Sequence, residues 1–342
     1  RNVHEAFILG VDAFTWDGDV QEQDSRAGAT LEFDGPVVTT YEYPCERVLF
    51  WEGRDANPFF HFMEGLWMLQ GREDVEFLAH YNKGMEAFSD NGFTLNGAYG
   101  YRWREFYEKD QLDVVVKRLQ DNPDDRRCVV AMWECNNDLD RDTLDTPCNT
   151  HIYFKVRNNK LNMTVCCRSN DMIWGAYGAN AVHFSMLQEY MAARIGVEVG
   201  VYNQVSDSFH VYTELFNSMK EKLPEFDYYT FKYPMVGNPY KTISVFPMVN
   251  DPEEFDGDLD AFFRGQQNGF ANHFFSDVAI PMKTAWDMHK LDQNTRGAIS
   301  LLYSFCKAED WQIACVEWLE RRLKGKEEAK DTEAVIGETN AK

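Results

Sequence analysis

A cysteine in a polar setting, a carboxylate on an apolar helix and a scatter of arginines are the residues of this chain best suited to chemistry. Cys148 stands in DTPCNT, where Pro147 removes a backbone donor and stiffens the chain just ahead of the thiol. Free cysteines are mostly small buried hydrophobes, and that is the competing reading. At an ordinary pKa of ~8.5 only about 3% of a thiol is ionised at pH 7, so a nucleophile here needs a cation close by. Arg168 is the candidate supplier. Arg126 and Arg127 follow NPDD and precede an apolar segment, so they leave from a strand edge. A pair of guanidinium groups can grip phosphate oxygens bidentately, whereas surface ion pairing with Asp124 and Asp125 is the plainer alternative.

Further candidates lie downstream. The stretch CRSNDMIWGAYGAN, from Cys167 to Asn180, carries Arg, Ser, Asp and Asn around glycines, as a strand-to-helix connection against a ligand would. It reads equally as a turn closed by a helix cap at Asn180. In DSFHVY, an extended backbone puts His210 and Tyr212 on one side, able to hold a sugar hydroxyl or to be satisfied in the core. No HExxH, P-loop or dinucleotide fingerprint occurs, so neither a metal nor a nicotinamide is indicated.

These residues need elements to position them. NPFFHFMEGLWMLQG predicts a helix with Asn57 as cap, Pro58 in the first turn and Gly71 at its close. Phe59, Phe62, Met63, Leu66 and Trp67 make its apolar face, and Glu64 sits beside that face among Phe60, Trp67 and Met68. Cys128 to Trp133 reads as a buried strand. HIYFKV and LNMTVCC read as two more, joined through Asn158 and Asn159 in a hairpin turn. Leu161, Met163, Val165 and Cys167 then share one face, with Thr164 and Cys166 on the other. A helix follows from about Ala181 to Ile195, ended near Gly196, and the remainder is expected to mix short strands with Asp- and Gly-rich turns. Residues 1–323 read as one catalytic domain and 324–342 as a polar, disordered tail.

Composition bounds the function. The 342 residues carry 34 basic and 56 acidic side chains, a net charge of −22, which argues against sequence-independent attraction to nucleic acid. No apolar run approaches the roughly 18 residues of a membrane span, and the amino end lacks a signal-peptide pattern. Eight cysteines without a CxxC pair read as reduced thiols of a cytoplasmic protein.

Taken in order, EGLWMLQG, NGAYGYRWR, DDRRCVVAMWE, TPCNT, CCRSND, GAN and DSFHVY resemble the folate-dependent thymidylate synthase family. The resemblance runs from about Arg26 to Tyr212 and is thinner afterwards. It implies an α/β (α+β) three-layer fold with a large mixed sheet flanked by helices, a homodimer, and one-carbon transfer from 5,10-methylenetetrahydrofolate to carbon 5 of a pyrimidine deoxynucleotide. By the same resemblance Cys148 adds to carbon 6 of the ring, which makes carbon 5 nucleophilic. Arg26, Arg168 and Ser169 bind the phosphate, and Arg126 and Arg127 complete the neighbouring subunit's phosphate site. Glu64 relays protons to the ring oxygen, consistent with its awkward place on an apolar helix, where desolvation raises a carboxyl's pKa. Tyr99 stands near the proton lost from carbon 5, Asp171 faces the pterin, Asn180 reads the base, and His210 with Tyr212 holds the deoxyribose hydroxyl.

Departures from the family's pattern bear on the outcome. Asn149 follows the nucleophile where the family usually has His, and Asp145 stands where an apolar residue is common. Gly175 and Asn180 are one residue further apart than their counterparts. The tryptophans expected before NGAYG are absent, with Phe88 the nearest aromatic, and VIGETNAK is not the apolar terminus that closes over folate. Hydride capture of the methylene intermediate gives thymidylate, and water capture gives a hydroxymethyl group. A dry lid favours hydride. Methylation of dUMP is ranked first, narrowly, with dUMP or dCMP hydroxymethylation as the alternative and a silent nucleotide-binding homologue as the non-enzyme reading. An Asn amide at 180 matches uracil, whereas a protonated Asp would suit cytosine better.

Overall fold

The computed structural model describes the chain except residues 17, 26–27, 224–236 and 340–342, together with side chains beyond 325. In chain order its elements are α1 (Val3–Trp16), β1 (Val20–Ser25), β2 (Gly28–Phe33), β3 (Val37–Tyr41), α2 (Pro58–Leu69), α3 (Val75–Tyr81), α4 (Tyr99–Arg104), α5 (Gln111–Asp121), β4 (Val129–Ala131) and the short α6 (Cys135–Asp138). There follow β5 (Asn149–Arg157), β6 (Lys160–Asp171), α7 (Asn180–Ile195), β7 (Glu198–Tyr212), α8 (Thr213–Lys220), α9 (Pro252–Phe263), α10 (Ile280–Lys290), α11 (Thr295–Phe305) and α12 (Glu309–Thr339).

The strands form one mixed sheet in the order β1-β2-β7-β6-β5-β4. Long β7 pairs β3 along its middle and β2 at its end, both antiparallel, while its other edge runs parallel to β6. Parallel neighbours need a crossover, and α7 supplies it. Between β5 and β6, Asn158 and Asn159 take φ of 52° and 58°, the doubly left-handed pair that a two-residue hairpin requires. This register buries Leu161, Met163, Val165 and Cys167 beneath α7 and turns Thr164 and Cys166 to the opposite face, as the alternation predicts.

Helix α2 also forms as expected. The Asn57 side chain accepts from the Phe60 N–H, Pro58 opens the first turn, and Gly71 follows at φ 79°. Its apolar residues pack against α7 and the C-terminal helices, with Phe59 against Trp286 and Phe62 against Trp311. Helix α7 is buried nearly all round and ends at Gly196 with φ 85°.

Three expectations need correction. Regular pairing of the Cys128–Trp133 segment is confined to Val129–Ala131, because the Met132 and Trp133 amides both converge on the Thr150 carbonyl and break the ladder. Past Tyr212 the described residues form helices and no strand, since apolar residues there recur at helical spacing, as Phe255, Leu259 and Phe262 do in α9. Asn180 is not a cap: the Asp171 side chain accepts from the Trp174 N–H and starts the turns earlier. Met172–Ala179 then runs into α7 across a kink with non-helical backbone at Tyr177 and Gly178, and this irregular link accommodates the extra residue between Gly175 and Asn180. The polar stretch from residue 324 continues the backbone of α12.

Candidate active site

Cys148 sits half-buried immediately before β5. Two neighbouring amides fix the loop: the Cys148 and Asn149 N–H groups each donate to the Tyr99 hydroxyl oxygen at 3.1 Å. Arg168, leaving β6 alongside, donates from Nε to the Pro147 carbonyl at 2.9 Å and from Nη2 to the Thr146 carbonyl at 3.3 Å. Its guanidinium lies 5.4 Å from the Trp133 ring centre. The cation that the thiol needs is therefore folded against the thiol's own loop. Burial, reinforced by the Cys148 sulfur, holds the Tyr99 hydroxyl well above the usual phenol range.

Asn149 makes a link that sequence reading missed. Its Nδ2 donates to Asn180 Oδ1 at 3.2 Å, Asn180 Nδ2 donates to Asn170 Oδ1 at 3.1 Å, and Asn170 Nδ2 donates to Ser206 Oγ at 2.8 Å. The amide of Asn180 is thus oriented from both sides. Gly175 is required beside it, because a Cβ there would come within 2.6 Å of Asn170 Oδ1. Asp171 ends β6 in register with His210 on β7. Its Oδ2 is buried without a partner, and burial raises its pKa. His210 shares a hydrogen bond of 3.1 Å with Ser208, and its ring meets Tyr212 edge-on at 5.8 Å, on one side of the strand as expected. Ser169 lies beside Ser208 in the same parallel register.

The far wall is a buried acid. Glu64 leaves 13% of its side chain accessible, and burial, with a smaller push from Asp145, raises its pKa to about 8. Only about a tenth of such a carboxyl is ionised at neutral pH. Asp145 stays close: its carboxylate accepts from the Gly97 N–H at 2.7 Å, and Asn96 Nδ2 donates to its backbone carbonyl. Burial raises the Asp145 pKa as well. Fully buried Arg102 pins this loop, donating to the Asn96 carbonyl and bidentately to Asp138 at 2.6 and 2.8 Å.

Other residues at the site carried no sequence signal except spacing. His61 and His183 lie three positions from Glu64 and Asn180 on their helices, which a helical reading of those two residues would have found. Arg54 is buried, with its guanidinium 4.7 Å from the centre of the Trp174 ring, and Trp174 remains 55% exposed. Arg54 Nη2 has no acceptor, and burial lowers its pKa to about 10.

The outlying arginines are not gathered into this cluster. Arg127 and Arg126 are exposed beside the edge strand β4. Arg127 grips Asp125 at 3.0 and 3.1 Å, whereas Asp124 pairs with Arg157 instead. Arg26 lies outside the described residues. Phe88 is 49% exposed. Among the described residues no group of three or more His, Cys, Asp or Glu is arranged to hold a metal, and no helix is long and apolar enough to cross a membrane.

The thiol, the guanidinium folded onto its loop, the oriented amide and the protonated carboxyl suit covalent activation of a flat heterocycle followed by proton relay. The thymidylate synthase family model matches residues 57–242, and the chain belongs to that family of one-carbon transferases. It is 45% identical over 333 residues to the deoxyuridylate hydroxymethyltransferase of Pseudomonas phage M6, covering 94% of this chain and 93% of that one. It is 43% identical over 191 residues to the protein of the same description from Bacillus phage SP01, covering 52% and 50%. A protein of Methanothermobacter thermautotrophicus, provisionally described as a thymidylate synthase, is 34% identical over 204 residues, 58% of this chain and 86% of that one.

Proposed function

We propose that this chain is a deoxyuridylate hydroxymethyltransferase, in which Cys148 activates dUMP and water rather than hydride completes the transfer. The reading moves the preference from methylation to its alternative. The observation that carries it is the likeness to the phage M6 enzyme along nearly the whole chain. The buried polar wall of Glu64, Asp145 and His183 supports it, because such a wall favours an ordered water over a dry lid.

In this reading the Cys148 thiolate adds to carbon 6 while Arg168, with Ser169 and Arg26, takes the phosphate. Asn180 donates to the oxygen at position 4 and accepts from the ring N–H, its orientation fixed through Asn149 and Asn170. Tyr99 lies beside the thiol, near the proton lost from carbon 5. His210 and Tyr212 hold the sugar hydroxyl. The unpartnered Oδ2 of Asp171 and the exposed Trp174 face, backed by Arg54, fit a flat pterin-bearing folate. 5,10-Methylenetetrahydrofolate supplies the one-carbon unit when bound there.

The homodimer belongs to the same proposal. The sheet face away from α7 carries Val38, Val129 and Tyr153, each about 40% exposed or more, with Cys166 and Val205 between them. Pairing two such faces would bring Arg126 and Arg127 to the neighbouring nucleotide. The phage relatives support action in a host cytoplasm.

The test is product analysis with dUMP and dCMP side by side. Hydroxymethylation releases tetrahydrofolate, whereas methylation yields dihydrofolate, and absorbance separates the two. Accumulation of dihydrofolate with thymidylate would restore the methylase reading. Nucleotide binding without folate turnover would favour the silent homologue.

A further inference from the structure

A carboxyl that is already protonated cannot serve as the base that deprotonates an attacking water. Glu64 is in that position at neutral pH, so the water's proton needs another destination. His183 leaves α7 one turn after Asn180 and brings its Nε2 to 3.2 Å from Glu64 Oε2. The two are not aligned as a hydrogen bond, and Nε2 is a buried nitrogen without a partner. The His61 backbone nearby favours a proton on the ring, a smaller effect than burial. A neutral imidazole that donates from one nitrogen keeps only a lone pair on the other. Burial lowers the His183 pKa to about 3, so the ring is neutral when substrate arrives.

We propose that His183 is the terminal proton acceptor of the water-capture step, acting through Glu64 as a positioning residue that selects the hydroxymethyl outcome. The inference rests on the hydroxymethyltransferase reading above. Water oxygen bonds to the exocyclic methylene carbon, and the carbon–carbon π pair moves into the ring as an enolate on position 4. The water's proton passes to one Glu64 oxygen while the carboxyl proton passes from the other to Nε2. Enolate collapse then restores the carbon 5–carbon 6 double bond and breaks the bond from carbon 6 to sulfur. Cys148 leaves as thiolate, its charge offset by the imidazolium. The imidazolium returns its proton to Glu64, which sheds one to solvent. The ring enolate is what makes a weakly basic imidazole sufficient: its developing negative charge favours a cation nearby. Hydride capture releases no proton at this step and needs no such relay.

The charged and titratable groups facing the pair are His61, with its ring at 6.3 Å from that of His183, Arg54 beyond it, and Asp145 beside Glu64. Burial and Arg54 together hold His61 neutral, well below the usual imidazole range. His61 therefore offers no competing cation.

The test compares wild type with His183→Gln in the full chain. With 5-fluoro-dUMP and methylenetetrahydrofolate, both should form the covalent Cys148 adduct to the same extent. With dUMP labelled at carbon 5, both should release tritium at similar rates, but 5-hydroxymethyl-dUMP from the variant should fall about 100-fold. Wild-type water capture in a single turnover should decline as pH rises above about 8, where Glu64 loses the proton it must pass on. That limb should be missing from the variant. Product formation by the variant at the wild-type rate, or adduct and product lost together, would overturn the role of His183. So would a wild-type rate that climbs through pH 8, the behaviour of Glu64 as a simple base. Thymidylate from the wild type would instead sink the hydroxymethyltransferase reading itself, with no variant involved.

Discussion

The two walls of the site are built on opposite principles. On the thiol side, Cys148 is half-buried and Arg168 exposed, and main-chain groups satisfy the polar atoms: two amides on the Tyr99 oxygen and two carbonyls under the guanidinium. On the acid side, Glu64, His61 and His183 are enclosed by helices, their charged forms suppressed by desolvation, and Nε2 of His183 is unpaired. A dianionic nucleotide must arrive from water and be met by cations that stay hydrated. Proton traffic is better handled where water is scarce and each proton has one place to go.

The sharpest way to break the comparison is at the thiol. Cys148→Ser should abolish the covalent adduct and lower turnover by 10⁴-fold or more on the order of nucleophile deletions elsewhere, read by mass spectrometry and product release. A persisting adduct would show that the two walls are wrongly assigned. Glu64→Gln should leave nucleotide affinity near wild type and cost about 10²–10³-fold in kcat, since an amide cannot relay a proton. Equal losses in affinity would mean that the acid wall also binds. Asn180→Asp, probing the amide that bridges the walls, should swing the preference from dUMP toward dCMP by about 100-fold in kcat/KM. Arg168→Ala should weaken dUMP binding by roughly 10-fold or more through loss of charge-assisted contacts, with a shallower salt dependence. The smallest effect belongs to Asp145→Asn. Removing a charge that raises the Glu64 pKa should move the alkaline limb down by less than about one unit, without disturbing the thiol wall.

The walls were also unequally legible. The thiol side lies in compact motifs, and TPCNT with CCRSND brought Cys148 and Arg168 out of the sequence together because β5 and β6 are a local hairpin. The α2 and α7 helices were readable from apolar spacing and their terminal residues, and Glu64 stood out as a carboxylate among aromatics. The histidines that surround it did not, because contact between α2 and α7 joins residues more than a hundred positions apart. Asn149 stands out in the sequence as a departure, yet its partnership with Asn180 depends on how a β-strand faces the start of a helix. The helical character beyond Tyr212 was hidden by its Asp- and Gly-rich composition, which local rules read as turns.

The kinked link of Met172–Ala179 would tie two proposed tasks into one mechanical part. Asn180 and His183 ride one turn apart on the same rigid helix, so whatever sets that helix's rotation sets both. Shortening the segment by a single residue would draw on the kink at Tyr177 and Gly178 and displace the start of α7. In the proposed reading, the side chain that meets the pyrimidine edge and the one that drains its proton would then shift in the same stroke. On that proposal substrate choice and reaction outcome share an axle, and a length change here would retune both.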